Sequence, residues 1–117
     1  MKTDTIAHHY AIAALWSSTD DAGEPLDAQY TADDMAPESL EKMTADCEAF
    51  LLRAGDLIKA SGLDHEQIGH DFWLTRNNHG TGFWDRGLGD VGDQLTALCK
   101  SFGEVWLYVG DDGLIYC

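Results

Sequence analysis

Basic side chains are scarce in this sequence. Seven lysine and arginine residues stand against 21 aspartate and glutamate residues, which leaves a formal net charge of −14. Direct binding of DNA or RNA needs lysine and arginine to displace the counterions of the phosphates, so this composition argues against it. The charge also exceeds the magnitude of about 2–8 that keeps a small domain soluble. Two explanations remain for the excess negative charge. One is solubility, in general or at high salt, and the other is a surface that binds a basic partner.

Cysteine and long apolar runs are limited too. The sequence has an odd number of cysteines, and they form no CxxC motif. The three are Cys47, Cys99 and Cys117. Cys47 and Cys99 fall on apolar helix faces, where a free thiol behaves as a small hydrophobic group, and this fits a reducing compartment. No apolar run approaches the ~18 residues of a membrane helix. Histidines interrupt the N-terminal apolar stretch, whereas a signal peptide has an uninterrupted apolar region. The sequence predicts a cytoplasmic protein.

Helical periodicity predicts three helices in one domain, residues 1–117. The length and the 44% of hydrophobic residues suit one core. Apolar residues recur at i, i+3 and i+4 over residues 5–18, 38–61 and 90–102. Pro37 suits the start of the long helix and Gly62 its end. A short helical turn is predicted after Thr31, and Thr5 is a candidate cap for the first helix.

Alternating residues predict two β-hairpins. Residues 70–76 place Phe72 and Leu74 on one face, and the loop NNHGTG and the segment GFWD complete the first hairpin. Residues 104–109 place Val105 and Leu107 on one face, and a Gly-Asp-Asp-Gly turn returns the chain over residues 114–116. The predicted class is α+β, a small antiparallel sheet of two hairpins with about three helices, in the order α–α–β–β–α–β–β.

The segment IGHDFWLTRNNHGTGFWDRGLG, residues 68–89, resembles a family of small acidic proteins carried by bacteriophages, plasmids and other mobile elements of bacteria. The likeness extends to EVWLYVGDDGLIY and to LWSSTDDAGEPLD, so it covers most of the chain. The family often has RNGHG where this chain has Arg76-Asn77-Asn78-His79-Gly80. Asparagine tolerates the left-handed conformation, which predicts that the loop keeps its shape. Most such proteins have no assigned activity, and the resemblance implies a setting that includes anti-CRISPR and anti-restriction inhibitors in the bacterial host cytoplasm.

The block 70–86 gathers polar groups among aromatic residues and leaves three interpretations open. In the first, which we expect, these groups hold a long hairpin together. In the second they form a partner-binding surface made of Trp73, Arg76, Asn77, His79 and Trp84. In the third, catalytic interpretation, His70 or His79 is a base, Asp71 or Asp85 orients it, and Arg76 holds an anion. The histidines have no recognised metal-site spacing, and no cofactor, metal or catalytic residue is predicted.

Acidic side chains are densest between positions 20 and 48, where Lys42 is the only basic residue. Such a run is commonly a solvated face. A sharper hypothesis is a mimic of nucleic-acid phosphates that occupies a basic groove, with fast and salt-sensitive association. The run consists of Asp20, Asp21, Glu24, Asp27, Asp33, Asp34, Glu38, Glu41, Asp46 and Glu48.

These features favour a non-enzymatic, mobile-element-encoded inhibitor that binds the basic surface of a host nucleic-acid-handling defence complex, such as a CRISPR effector. Its predicted partner-binding residues are the acidic run up to Glu41 and the five residues of the second interpretation above. One alternative is a small hydrolytic or metal-dependent enzyme built on residues 70–86. Another is a phage regulatory or structural adaptor that uses Trp73 or Trp84. Neither a membrane nor nucleic acid is a predicted direct partner.

Overall fold

Five α-helices and one β-hairpin make up the part of the chain described by this computed structural model, residues 2–20, 22–79 and 82–117. The helices are α1 (Lys2–Ser17), α2 (Pro37–Ala54), α3 (Asp56–Ser61), α4 (His65–Arg76) and α5 (Asp90–Ser101). Strands β1 (Tyr108–Val109) and β2 (Ile115–Tyr116) pair antiparallel, and 3-10 turns cover Leu26–Ala28, Ala32–Asp34 and Phe83–Asp85. The α+β class is confirmed in this coarse form, although the number and order of elements differ from the prediction. None of the described helices is long and apolar enough to cross a bilayer.

The first predicted hairpin is wrong, because residues 70–76 form the second half of α4. This helix begins after Asp64, whose carboxylate accepts a hydrogen bond from the Gln67 backbone N–H at 2.8 Å. Phe72, Trp73 and Leu74 are all buried. A short segment that is buried on every side carries no polar face, so its sequence pattern does not separate a strand from a helix. The second predicted strand is the 3-10 turn Phe83–Asp85.

The long helix predicted over 38–61 divides at Gly55 into α2 and α3. Gly55 adopts a φ of 51°, a conformation that L-residues with side chains rarely take. Pro37 occupies the first turn of α2 and Gly62 ends α3 in the left-handed conformation, both as predicted. The turn predicted after Thr31 is present as Ala32–Asp34. Helix α1 begins at Lys2, so Thr5 lies inside it and is not its cap.

Helices α1 and α4 form the most extensive helix–helix packing of the described chain. Gly69 on α4 lies directly against the backbone of α1, and any β-carbon at this position would overlap the Ile6 carbonyl oxygen. The Trp73 indole N–H donates a 2.7 Å hydrogen bond to the Ser17 hydroxyl. The ring of Phe72 on α4 also stacks on Phe50 of α2, with centroids 4.3 Å apart. Helix α4 is therefore the central element of the core.

The C-terminal hairpin is confirmed, although its strands are shorter than predicted. The Gly110 N–H donates to the Leu114 carbonyl at 2.8 Å across the turn. The Asp112 carboxylate accepts from the Tyr116 hydroxyl at 2.6 Å. This hydrogen bond lowers the pKa of Asp112 and raises the pKa of Tyr116 to about 12. The Ala36 N–H donates to the Ile115 carbonyl at 2.9 Å, so the hairpin is joined to the start of α2.

Cys47 and Cys99 are buried free thiols, as their positions on apolar helix faces predict. Burial raises the pKa of Cys47 to about 12, and burial likewise raises the pKa of Cys99. Both side chains are therefore held in the neutral thiol form at neutral pH, where they act as small core residues.

The free energy of unfolding should fall as pH rises above about 9, because the unfolded chain then releases the Cys47 proton that the folded state retains. The Cys47 contribution is lost as pH rises between about 9 and 12, with a slope that approaches about 1.4 kcal/mol per pH unit. Guanidinium unfolding at pH 8, 9 and 10 measures this slope. Cys47→Ala should show a shallower slope, and identical slopes in both proteins would contradict the prediction.

Candidate functional site

Arg76 is a buried structural cation, only 3% exposed. Its Nε donates to the Gly103 carbonyl at 2.8 Å and its Nη2 to the Phe102 carbonyl at 2.9 Å. Its Nη1 donates to the Tyr10 hydroxyl at 2.9 Å and to the Asp46 carboxylate at 2.8 Å. These bonds join the end of α4 to α1, to α2 and to the chain that leaves α5. Arg76 is therefore not available to hold an anion or a partner at the surface.

Asp71 is a second buried charge on α4. Its fully buried carboxylate accepts two hydrogen bonds from Arg86, from Nε and Nη2, each at 2.9 Å, and a third from Gln67 at 2.8 Å. His70 Nδ1 lies 3.3 Å from the same carboxylate, and the His70 ring contacts Trp16 with centroids 5.8 Å apart. The bidentate ion pair fastens the segment after the Phe83–Asp85 turn to α4. Asp71 thus serves the fold.

Of the side chains in the catalytic interpretation, the structure brings His70 and Asp71 together, with His70 Nδ1 3.3 Å from the carboxylate, and places the others in different surroundings. Arg76 is paired with Asp46 in the interior. Asp85 is exposed in its 3-10 turn, as is His79 beyond the end of α4. In the described residues no group of three or more histidine, cysteine or acidic side chains is placed to hold a metal ion.

Asn77 and Asn78 shape the chain where α4 ends. The Asn77 side-chain amide donates to the Trp73 carbonyl, and its oxygen accepts from the Val105 N–H, both at 2.9 Å. Asn78 adopts a left-handed φ of 59°, as the tolerance of asparagine for this conformation predicts. The following His79 N–H donates to the Leu74 carbonyl at 2.9 Å. The loop then continues through Gly80 and Thr81, which lie outside the described residues.

A cavity of about 230 Å³ beside this helix end brings together Trp73, Asn77 and His79, three of the predicted binding residues. Trp73 itself is 2% exposed and belongs to the core. Trp106, 73% exposed, also lines this cavity, and sequence reasoning missed it. The sequence pattern does indicate its exposure. If Val105 and Leu107 face the core, the residue between them, Trp106, faces solvent. Trp84 is half-exposed in the 3-10 turn and is not one of the residues that line this cavity.

Three carboxylates of the acidic run serve the fold. Asp20 accepts the backbone N–H groups of Ala22 and Glu24 at 2.9 and 3.0 Å. Asp34 accepts the Thr31 N–H at 2.8 Å in a capping box. Asp46 pairs with Arg76, as described above. Asp21, also predicted to bind a partner, lies outside the described residues.

The six other carboxylates of the run that the structure describes face solvent. None of them forms an ion pair with a basic side chain in the described part of the chain. Lys42, the one basic residue between positions 20 and 48, donates to the Cys117 carbonyl at 3.2 Å. We call these six residues the acidic surface: Glu24, Asp27, Asp33, Glu38, Glu41 and Glu48.

No protein-family model matches this chain, and no curated protein or solved structure shows significant similarity to it. The function is therefore inferred from the chemistry of the accessible side chains. The predicted binding residues that remain well exposed are five carboxylates of the acidic surface, all except Glu48, with His79 and Trp84 in the second half of the chain. The acidic surface is the larger of these sets.

Proposed function

We propose that this protein is a non-enzymatic inhibitor encoded by a mobile element, which binds the basic surface of a host nucleic-acid-handling defence complex. The observation that carries the proposal is the acidic surface, six exposed carboxylates without a basic partner among the described residues. The resemblance of residues 68–89 to small proteins of mobile elements supports the biological setting. The complex acts in the bacterial cytoplasm, with a CRISPR effector as the leading example.

The geometry of α2 supports phosphate mimicry. Glu38, Glu41 and Glu48 are separated by three and seven residues, so they share one face of the helix. They span about 15 Å along its axis at 1.5 Å per residue. Carboxylates on a hydrogen-bonded helix need little reordering when they bind. They can therefore enter a groove whose lysines and arginines are arranged for a nucleic-acid backbone.

The charge balance supports a basic partner over other partners. Neighbouring unpaired carboxylates repel one another in the free protein, and a basic surface relieves that repulsion on binding. Complementary charges chiefly accelerate encounter and make it depend on salt. An inhibitor of this type competes with DNA or RNA for the same groove, and it needs no cofactor.

Neutralising Glu38, Glu41 and Glu48 to glutamine should weaken binding to such a complex at least tenfold and reduce its dependence on salt. The measurement is displacement of labelled DNA from purified CRISPR effectors, followed by fluorescence anisotropy at 50 and 200 mM salt. These three residues are chosen because Asp34 and Asp46 hold the fold together, so their replacement would confuse binding with stability.

The matched control removes three exposed carboxylates outside the run, with Asp56→Asn, Asp85→Asn and Asp111→Asn. It loses the same charge and should retain most of the affinity. The proposal fails if wild-type protein displaces DNA from none of the effectors. It also fails if the glutamine variant keeps the wild-type affinity and salt slope.

A further inference from the structure

A groove on the outer face of α1 is left open to solvent. It encloses about 330 Å³ between α1 and the segment of the first two 3-10 turns. Leu15 lies at its buried side, whereas Ile12 leaves 41% of its surface exposed. Tyr30 and Ala32 line the opposite wall. We call this cavity the α1 groove, and its apolar lining favours an apolar side chain as occupant.

Two carboxylates of the acidic surface also line the α1 groove. Asp27 belongs to the first 3-10 turn and Asp33 to the second. Both side chains are exposed, and neither forms an ion pair within residues 2–20, 22–79 and 82–117. A purely apolar occupant would remove water from these charges without replacing its hydrogen bonds, which costs free energy. A lysine or arginine beside the apolar side chain would pair with them instead.

We propose that the α1 groove anchors a basic amphipathic segment of the partner protein. The segment inserts a leucine-sized side chain beside Ile12 and Leu15, and its flanking lysine or arginine residues pair with Asp27 and Asp33. This inference rests on the proposed function, to which it adds an apolar contact that carboxylates alone cannot supply. An apolar anchor in a desolvated pocket with charged groups at the rim is the usual arrangement of an interface hot spot.

A second copy of this chain is the competing occupant of the α1 groove. Its Leu52 is 85% exposed and precedes Arg53, so it offers an apolar side chain beside a basic one. However, each copy carries a formal charge of −14. Repulsion between two such chains opposes this association, whereas a basic partner is attracted. Charge complementarity therefore selects the partner protein over a second copy.

Two fluorescently labelled 14-residue peptides test the proposal. The first contains lysine with leucine at alternating spacings of three and four residues, and the second has alanine in place of each leucine. We expect wild-type protein to bind the leucine peptide at least tenfold more tightly, because a leucine side chain buries more apolar surface in the groove than alanine does. Ile12→Ser should abolish this preference. The double variant D27N/D33N should weaken the binding of both peptides and lower the salt slope.

The matched controls are Leu52→Ser for the apolar change and D56N/D111N, at two exposed carboxylates outside the acidic surface, for the charge change, and both should keep the leucine preference. Equal binding of the two peptides by wild-type protein would overturn the inference while the proposed function stands, since the latter needs charge alone. A leucine preference that persists in Ile12→Ser would also overturn it. So would a dimer seen by sedimentation that both Ile12→Ser and Leu52→Ser abolish, because the groove would then belong to a second copy.

Discussion

Replacing Arg76 with methionine is expected to destabilise the protein by about 3 kcal/mol, as measured by the free energy of unfolding in urea. The change removes the guanidinium donors to the Tyr10 hydroxyl, the Asp46 carboxylate and two backbone carbonyls. The Tyr10 hydroxyl is buried and would be left without this hydrogen bond, which alone costs about 1–3 kcal/mol. Asp46 is 39% exposed and regains water, so the total lies at the lower end for a broken buried pair.

Arg53→Met is the matched control for this experiment. Arg53 is an exposed residue whose guanidinium lies 4.8 Å from the centroid of the Phe102 ring. Methionine keeps much of the apolar contact, and an exposed contact of this kind contributes about 0.5–1 kcal/mol. A loss for Arg76→Met no larger than that for Arg53→Met would show that the buried network contributes little. A stability of about 5–15 kcal/mol is typical of a domain, so the expected loss is a large share.

Gly69→Ala is expected to destabilise the protein by about 3 kcal/mol, although alanine is normally the better helix former by about 0.5–1 kcal/mol. The new β-carbon would overlap the Ile6 carbonyl oxygen and lie 3.0 Å from the Tyr10 backbone nitrogen. Both obstacles are backbone atoms of α1, so no side-chain rotation relieves them. Helices α1 and α4 would have to separate, and their shared core contacts would loosen. Urea unfolding measures the loss.

Gly92→Ala provides a graded comparison within the same protein. Its β-carbon would lie 2.9 Å from the Phe83 carbonyl oxygen and 3.2 Å from the Leu88 side chain. These atoms belong to a 3-10 turn and a loop, which can shift more easily than a packed helix. The expected loss is therefore smaller, about 1 kcal/mol. A Gly69→Ala protein as stable as the wild type would contradict the close approach of α1 and α4.

Residue patterns were sufficient where one face of an element meets water. Helices α1, α2 and α5 were predicted within a few residues, although the junction at Gly55 was not. The C-terminal hairpin was predicted from its Gly-Asp-Asp-Gly turn, and the left-handed Asn78 from the tolerance of asparagine. In each case the deciding interaction is local in sequence.

Only part of the candidate site could be predicted from the sequence. Composition predicted an acidic segment, and Glu48 is indeed exposed, yet Asp46 two residues earlier turns inward to Arg76. That difference depends on a cation 30 positions away in the sequence. Trp73 and Trp84 looked equivalent, but Trp73 is buried and Trp84 is half-exposed. No local pattern distinguishes these pairs.

The sequence by itself determined the net charge, the scarcity of lysine and arginine side chains that could pair with the carboxylates, and the elements with one polar face. Only the tertiary structure decided that residues 70–76 are helical, because residues 71–76 are all buried and leave no solvent-exposed face to set their period. It also decided which carboxylates remain free, since Arg76 and Arg86 each take up one acidic residue through contacts distant in sequence. Local preferences are encoded within a few residues, whereas burial and ion pairing depend on what the rest of the chain brings alongside.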